Sequence, residues 1–113
     1  MTTFEEREQG FERKFAHDEE LRFKAMVRRD KLIGLWAAGE MGIEGADAEA
    51  YAKEVIKADF EKVGDDDVVE KLRRDFAARK IDMSEHRIRR QLAHFMDVAR
   101  EQIRNELTPP EEA

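Results

Sequence analysis

Nucleophiles, general bases and metal ligands must sit at workable spacings before they can do chemistry, and this chain offers few of them. Beyond Tyr51, its side-chain hydroxyls are Thr2, Thr3, Ser84 and Thr108. Ser84 comes just before an apolar run with Glu85 beside it, which reads as a helix N-cap and not as a nucleophile with its base. His17 stands at the start of a helical stretch. His86 and His94 lie two helical turns apart, beyond the i, i+4 spacing of a helical metal pair. The triplet Asp65, Asp66 and Asp67 is contiguous, whereas calcium loops alternate their ligands around a glycine and end in a bidentate glutamate. Those three acids read better as the start of a helix, where they complement the dipole. There is no cysteine, so neither a thiol nucleophile nor a disulfide framework exists. The expectation is a protein that is not an enzyme, with no catalytic residue, no metal and no cofactor.

The unusual chemistry is at the beginning, in MTTFEEREQGFERKFAH. Phe4, Phe11 and Phe15 recur at i, i+7 and i+11, within about 40° of one another on a helix. Thr3 can cap that helix, with Glu6 closing a capping box. Gly10, however, weakens a helix interior by roughly 1 kcal/mol, and isolated helices of this length are marginal. Two arrangements follow from the spacing. In one, the segment is loose alone and becomes helical when an apolar groove receives its phenylalanine edge. In the other, it extends the first long helix and packs back on the body of the protein.

That body reads as helices throughout. Proline is absent before Pro109 and Pro110, which favours every earlier helix and stops the last. A first long helix is expected from about Asp18 to Gly39, with Leu21, Ala25, Leu32, Leu35 and Trp36 as its apolar stripe. GEMGIEG follows as an open turn. Asp47 is expected to cap a second helix with the stripe Ala48, Ala52, Val55, Ile56, Phe60 and Val63, and Gly64 then offers a left-handed position. A short third helix carries Val68, Val69, Leu72 and Phe76. A fourth starts at Ser84, with Met83 stapled onto Ile88, and continues its stripe through Leu92, Phe95, Met96, Ala99 and Ile103. No period-two alternation is present. The fold class expected is all-α, a four-helix bundle over residues 18–107 with a protruding, mobile segment at 1–17 and a disordered tail at 108–113.

Two charges interrupt the stripes: Arg28 on the first long helix and Asp59 on the second. One reading leaves Arg28 snorkelling at an edge and Asp59 at a cap or in water; the other joins them in a partly buried ion pair or a small cleft. Elsewhere the charges describe solvated helix faces. The chain has 113 residues, a net charge of -6, 42% charged residues and a mean hydropathy of -0.79. The acidic balance is concentrated in residues 41–67, and the basic residues Arg28, Arg29, Lys31, Arg87, Arg89 and Arg90 are diluted by acids. Nucleic-acid binding is therefore not expected, nor is membrane insertion, because no apolar run approaches the roughly 18 residues of a span. With no leader pattern, a cytoplasmic location is the plain expectation.

The stretches MTTFEERE, KFAHDEELRFKA, RRDKLIGLWAA, ADFEKVGDDDVVEKL and MSEHRIRRQL, in this order and spacing, resemble the zeta subunit family, the ATPase inhibitors of α-proteobacterial F-type ATP synthases. Asp30 stands where that family is expected to carry asparagine, and Gly10 where alanine is more usual. The resemblance implies a bundle whose N-terminus enters the catalytic head between an α and a β subunit, contacts the rotor and blocks ATP hydrolysis. It implies that residues 1–17 are the inhibitory segment. Phe4, Phe11 and Phe15 would form its apolar edge, Glu5, Arg7, Arg13 and Lys14 its polar contacts. The expected partners are the α, β and rotor subunits, the free protein a monomer, and the location cytoplasmic at the periphery of the membrane-bound synthase. A different class of function is a small helical adaptor that binds another protein through a bundle surface around Trp36, Met41 and Ile43.

Overall fold

A computed structural model describes residues 4–62 and 64–107, with side chains from residue 6 onward. These residues form five α-helices and, among them, no strand: α1 Phe4–His17, α2 Glu19–Glu40, α3 Gly45–Asp59, α4 Asp66–Ala78 and α5 Glu85–Leu107. Expectations for Thr3, Val63 and the 108–113 tail lie outside the described residues, as do those for the side chains of Phe4 and Glu5.

The helix ends follow local chemistry. Asp18 breaks the chain between α1 and α2 by adopting an extended conformation, and its Oδ1 accepts the Leu21 N–H at 3.2 Å, so a free backbone donor is satisfied. Ser84 does the same for α5, its Oγ accepting from the Arg87 N–H at 3.1 Å. The expected cap at Asp47 is corrected. The helix begins earlier, at Gly45 behind Glu44, and Asp47 falls in its first turn. Asp65 occupies the cap position of α4 but makes no side-chain cap bond, because its carboxylate is held by Arg29. Helices α2 and α4 end in the same hydrogen-bond pattern. After α2, Gly42 takes φ 76° and the Ile43 N–H reaches the Ala38 carbonyl; after α4, Lys80 takes φ 59° and the Ile81 N–H reaches the Phe76 carbonyl. Glycine adopts that left-handed turn without steric cost, and lysine does not.

Helix α2 packs against both α3 and α5, while α4 closes the far side against α3 and α5. The buried face of α2 runs through Leu21, Ala25, Arg29, Asp30, Ile33, Gly34, Ala37 and Ala38. This is a phase correction to the expected stripe, since Leu32, Leu35 and Trp36 are only half-buried. The buried register is carried by small residues that hydropathy weights lightly. Gly34 shows why: a Cβ there would lie 2.7 Å from the Ala52 Cα, so α2 and α3 approach backbone to backbone. Phe60, expected in the stripe of the second helix, is exposed and stacks on the exposed Phe23 at 5.3 Å.

Apolar residues divide into two clusters. The larger joins Ile33, Ala37, Ala38, Met41, Tyr51, Val55, Val68, Val69, Leu72, Phe76, Met83, Ile88 and Leu92. The smaller joins Leu21, Ala25 and Ile103, with Phe11, Phe15 and Met96 packed on it. On α2 the two are separated by one turn, and Arg29 and Asp30 occupy it.

Candidate functional site

Helix α1 lies against α2 and reaches α5 with its side chains. Phe11 and Phe15 are half-buried with their rings 5.8 Å apart, resting on Leu21, Ala25, Met96 and Ile103. The Arg100 guanidinium stands 4.6 Å from the Phe15 ring centre, in cation–π range. The same arginine pairs with Glu12, and Arg104 pairs with Glu8. Arg22 donates to the Ala16 carbonyl at 3.0 Å and ties the end of α1 to the start of α2. Of the two arrangements left open by the spacing, this is the packed one, here as a separate helix and not a continuation of α2. Arg7, Arg13 and Lys14 are exposed. So the structure brings Phe11 and Phe15 together on the inner edge, with the exposed Arg7 and Lys14 beside that edge and Arg13 on the far side of the helix.

The Arg28–Asp59 pair is replaced by a neighbouring one. Arg28 sits at the edge of α2 and pairs with Glu106 of α5 at 2.7 Å. Its hydrogen bond there holds the Glu106 carboxyl below the usual range. Asp59 is buried, and its partner is Arg29, with Nη2 3.4 Å from Oδ2. One residue along a helix turns the side chain by about 100°, which moves Arg29 inward and Arg28 to the rim. Arg29 also donates from Nε and Nη2 to Asp30 Oδ1, at 3.1 and 2.9 Å, and from Nη1 to Asp65 Oδ1 at 3.0 Å. One guanidinium therefore joins α2, α3 and the head of α4.

A second polar knot joins α3 and α4. The Tyr51 hydroxyl donates to Asp75 Oδ2 at 2.7 Å, Lys71 donates to the same oxygen at 2.9 Å, and Lys71 lies 5.1 Å from the Tyr51 ring centre. Burial, then the bond to Asp75, raises the tyrosine hydroxyl above its usual range, so it remains a donor. The Trp36, Met41 and Ile43 surface does not stand free: Met41 is buried, and Trp36 and Ile43 pack on the large cluster. Asp66, from the acidic triplet, pairs with Arg89 at 2.9 Å. Among the described residues no group of three or more metal-binding side chains is arranged for an ion, and no helix is long and apolar enough to cross a membrane.

Sequence reasoning missed Arg29, Asp30, Glu8, Glu12, Arg100 and Arg104. The signal for the last four was present: Glu8 and Glu12 are spaced by one helical turn, and so are Arg100 and Arg104, so the two pairs match when the helices lie side by side. The signal for Arg29 was the four-residue series Leu21, Ala25, Arg29, Ile33 and Ala37, in which every other member is buried.

Comparison with known proteins adds identity to this geometry. Among solved structures, one determined by solution NMR is 42% identical over 77% of this chain and 99% of its own, with a TM-score of 0.69. No curated protein matches. The model of the family described as ATPase inhibitor subunit zeta matches residues 1–102. That match covers α1 to α4 and α5 as far as residue 102, so the chain belongs to the ATPase inhibitor subunit zeta family.

Proposed function

We propose that this protein blocks ATP hydrolysis by an F-type ATP synthase through residues 1–17, which enter the catalytic head between an α and a β subunit and hinder the rotor. Membership of an inhibitor-subunit family makes the chain a regulatory protein and not an enzyme, and gives it an ATP synthase as its target. The insertion mechanism is our reading, and one observation carries it. Helix α1 presents two aromatic side chains on one edge and leaves Arg7, Arg13 and Lys14 exposed, the first and last beside that edge, while its rings rest on the small cluster of Leu21, Ala25, Met96 and Ile103. An amphipathic helix with such a small intramolecular seam can exchange it for a larger groove.

In this reading Phe4 adds an apolar contact and Glu5 a polar one to the bound segment, and Thr3 would cap it there. The remaining helices act as a four-helix scaffold, residues 18–107, on the outside of the head. The complex forms in the cytoplasm, at the membrane periphery, and the free protein is a monomer. Because the phenylalanine edge that would meet the head also rests on α2 and α5, engagement requires α1 to leave that seam. A wedge that prefers one conformation of the rotary cycle shifts the population to that state and stops turnover. The test is ATP hydrolysis by the purified head complex with the full chain and with a chain lacking residues 1–17. Inhibition by the first alone is expected; equal inhibition by both would place the inhibitory contact on the scaffold.

A further inference from the structure

The cluster around Arg29 contains more acid than it can balance. Asp30 is fully buried and Asp59 is 3% exposed, and both share the single buried cation of Arg29. Asp65, the third acid, is half-exposed at the rim. On each of the two buried carboxyls one oxygen is bound by Arg29 and the other has no partner among the described residues: Asp30 Oδ2 and Asp59 Oδ1. Two buried acceptors left without donors would each carry a desolvation penalty, and a second uncompensated negative charge would cost more still. One proton resolves both problems, because it turns one orphan oxygen into a donor and the other into its acceptor.

We propose that Asp30 and Asp59 hold one proton between them at neutral pH, and that this shared proton is a pH-sensitive latch joining α2 to α3. The electrostatics agree. Burial, and next the hydrogen bond with Asp59, push the Asp30 carboxyl up to about 8 against the opposing pull of Arg29. The surrounding groups do not supply a replacement cation. Helix α2 contributes Arg29, already divided among three acids, and α3 contributes Asp59. The α3–α4 connection contributes Asp65, with Glu61 and Lys62 lining the outer side of Asp59. Helix α5 contributes Arg89, which lines the same cleft as Arg29 and Asp65 but is engaged by Asp66 and Glu85.

The direction of the pH effect follows. An unfolded aspartate releases its proton near 3.8, whereas folded Asp30 keeps it up to about 8. Between those values the native state binds a proton that the unfolded state does not, so stability from this pair falls as pH rises. The contribution is complete below the lower value and gone above the upper one. Acidification of the surroundings tightens the α2–α3 junction and alkalinity loosens it. This holds whichever groove receives α1.

The test compares wild type with Asp30→Asn, whose amide N–H donates where the shared proton does without titrating. At pH 6, wild type is expected to release about one more proton on unfolding than the variant, measured by calorimetry in buffers of different ionisation enthalpy. Between pH 6 and pH 9 the wild-type melting temperature should fall relative to that of Asp30→Asn. An infrared band of a protonated carboxyl should be present in wild type at pH 7, where ordinary aspartates are ionised, and absent from both Asp30→Asn and Asp59→Asn. Equal proton release by wild type and variant would overturn the proposal, as would absence of the carboxyl band. So would an Asp30→Asn protein that no longer folds at pH 6, since that would require a carboxylate where the latch needs a neutral donor.

Discussion

The two apolar clusters of this protein are built differently. The larger is closed on all sides by four helices and contains side chains with no exposure at all, Ile33, Leu72, Ile88 and Val55 among them. The smaller has only Leu21, Ala25 and Ile103 fully inside, and is covered by two half-buried phenylalanines from α1 held at the edges by Glu8, Glu12, Arg100 and Arg104. A closed cluster is costly to open anywhere. A seam of two half-buried rings and part-buried ion pairs at its rim can be opened at one edge for less than a closed core. Stability is concentrated in the larger cluster, and the smaller is the one that the proposed mechanism requires to open.

Substitutions can test that contrast, starting with the strongest. Phe76 is 1% exposed and meets Trp36 edge-on at 5.9 Å. Phe76→Ala should cost roughly 3–5 kcal/mol of folding stability, read as a lowered denaturation midpoint, whereas Phe15→Ala should cost about 1 kcal/mol. Equal losses would show that α1 belongs to the same cooperative core. Gly34→Ala places a methyl group against the Ala52 backbone and should cost roughly 1–3 kcal/mol, again with no direct effect on α1. An unchanged melting temperature would mean that the α2–α3 contact can slide apart freely.

Two further changes act on the helix ends and the seam. Replacing Lys80 by glycine relieves a left-handed lysine and should add about 1 kcal/mol of stability, raising the melting temperature; a decrease would mean that the lysine side chain outweighs its backbone strain. Arg100→Glu turns an attraction for Glu12 and the Phe15 ring into repulsion. It should speed amide exchange in α1 by several-fold, leave α4 unaffected, and tighten inhibition by a similar factor if the freed segment is the wedge. Slower exchange in α1 would contradict the seam as described.

Much of this was legible in the sequence, and what was not shares a cause. Stripes of large apolar side chains gave Val68, Val69, Leu72 and Phe76 on α4, and Ile88, Leu92, Ala99 and Ile103 on α5, all buried. Ser84 was readable as a cap because a cap is a local event, and Asp18 was readable as the start of a helix. Helix α2 was read one register off, since its buried face consists of Ala25, Gly34, Ala37 and Ala38 around a charged pair. Burial of small residues leaves little trace in hydropathy, and a buried arginine looks on paper like a solvated one until its acids arrive from other helices. The identity of Arg28 as a surface partner of Glu106 depends on where α5 ends in space, which no local pattern encodes. For the N-terminal segment the sequence supplied the phenylalanine edge, and the choice of groove was a matter of tertiary contacts.

Because Gly10 has nothing within 4 Å of where its Cβ would stand, Gly10→Ala should stabilise α1 by about 1 kcal/mol without disturbing either cluster. The most direct test of the division between scaffold and inhibitory segment is the inhibition constant for ATP hydrolysis by the F-type head, measured for Phe11→Ala beside wild type. If residues 1–17 make the inhibitory contact, the constant should rise at least tenfold, as loss of a buried aromatic anchor does, while the melting temperature stays near that of wild type. An inhibition constant unchanged by Phe11→Ala would contradict that division.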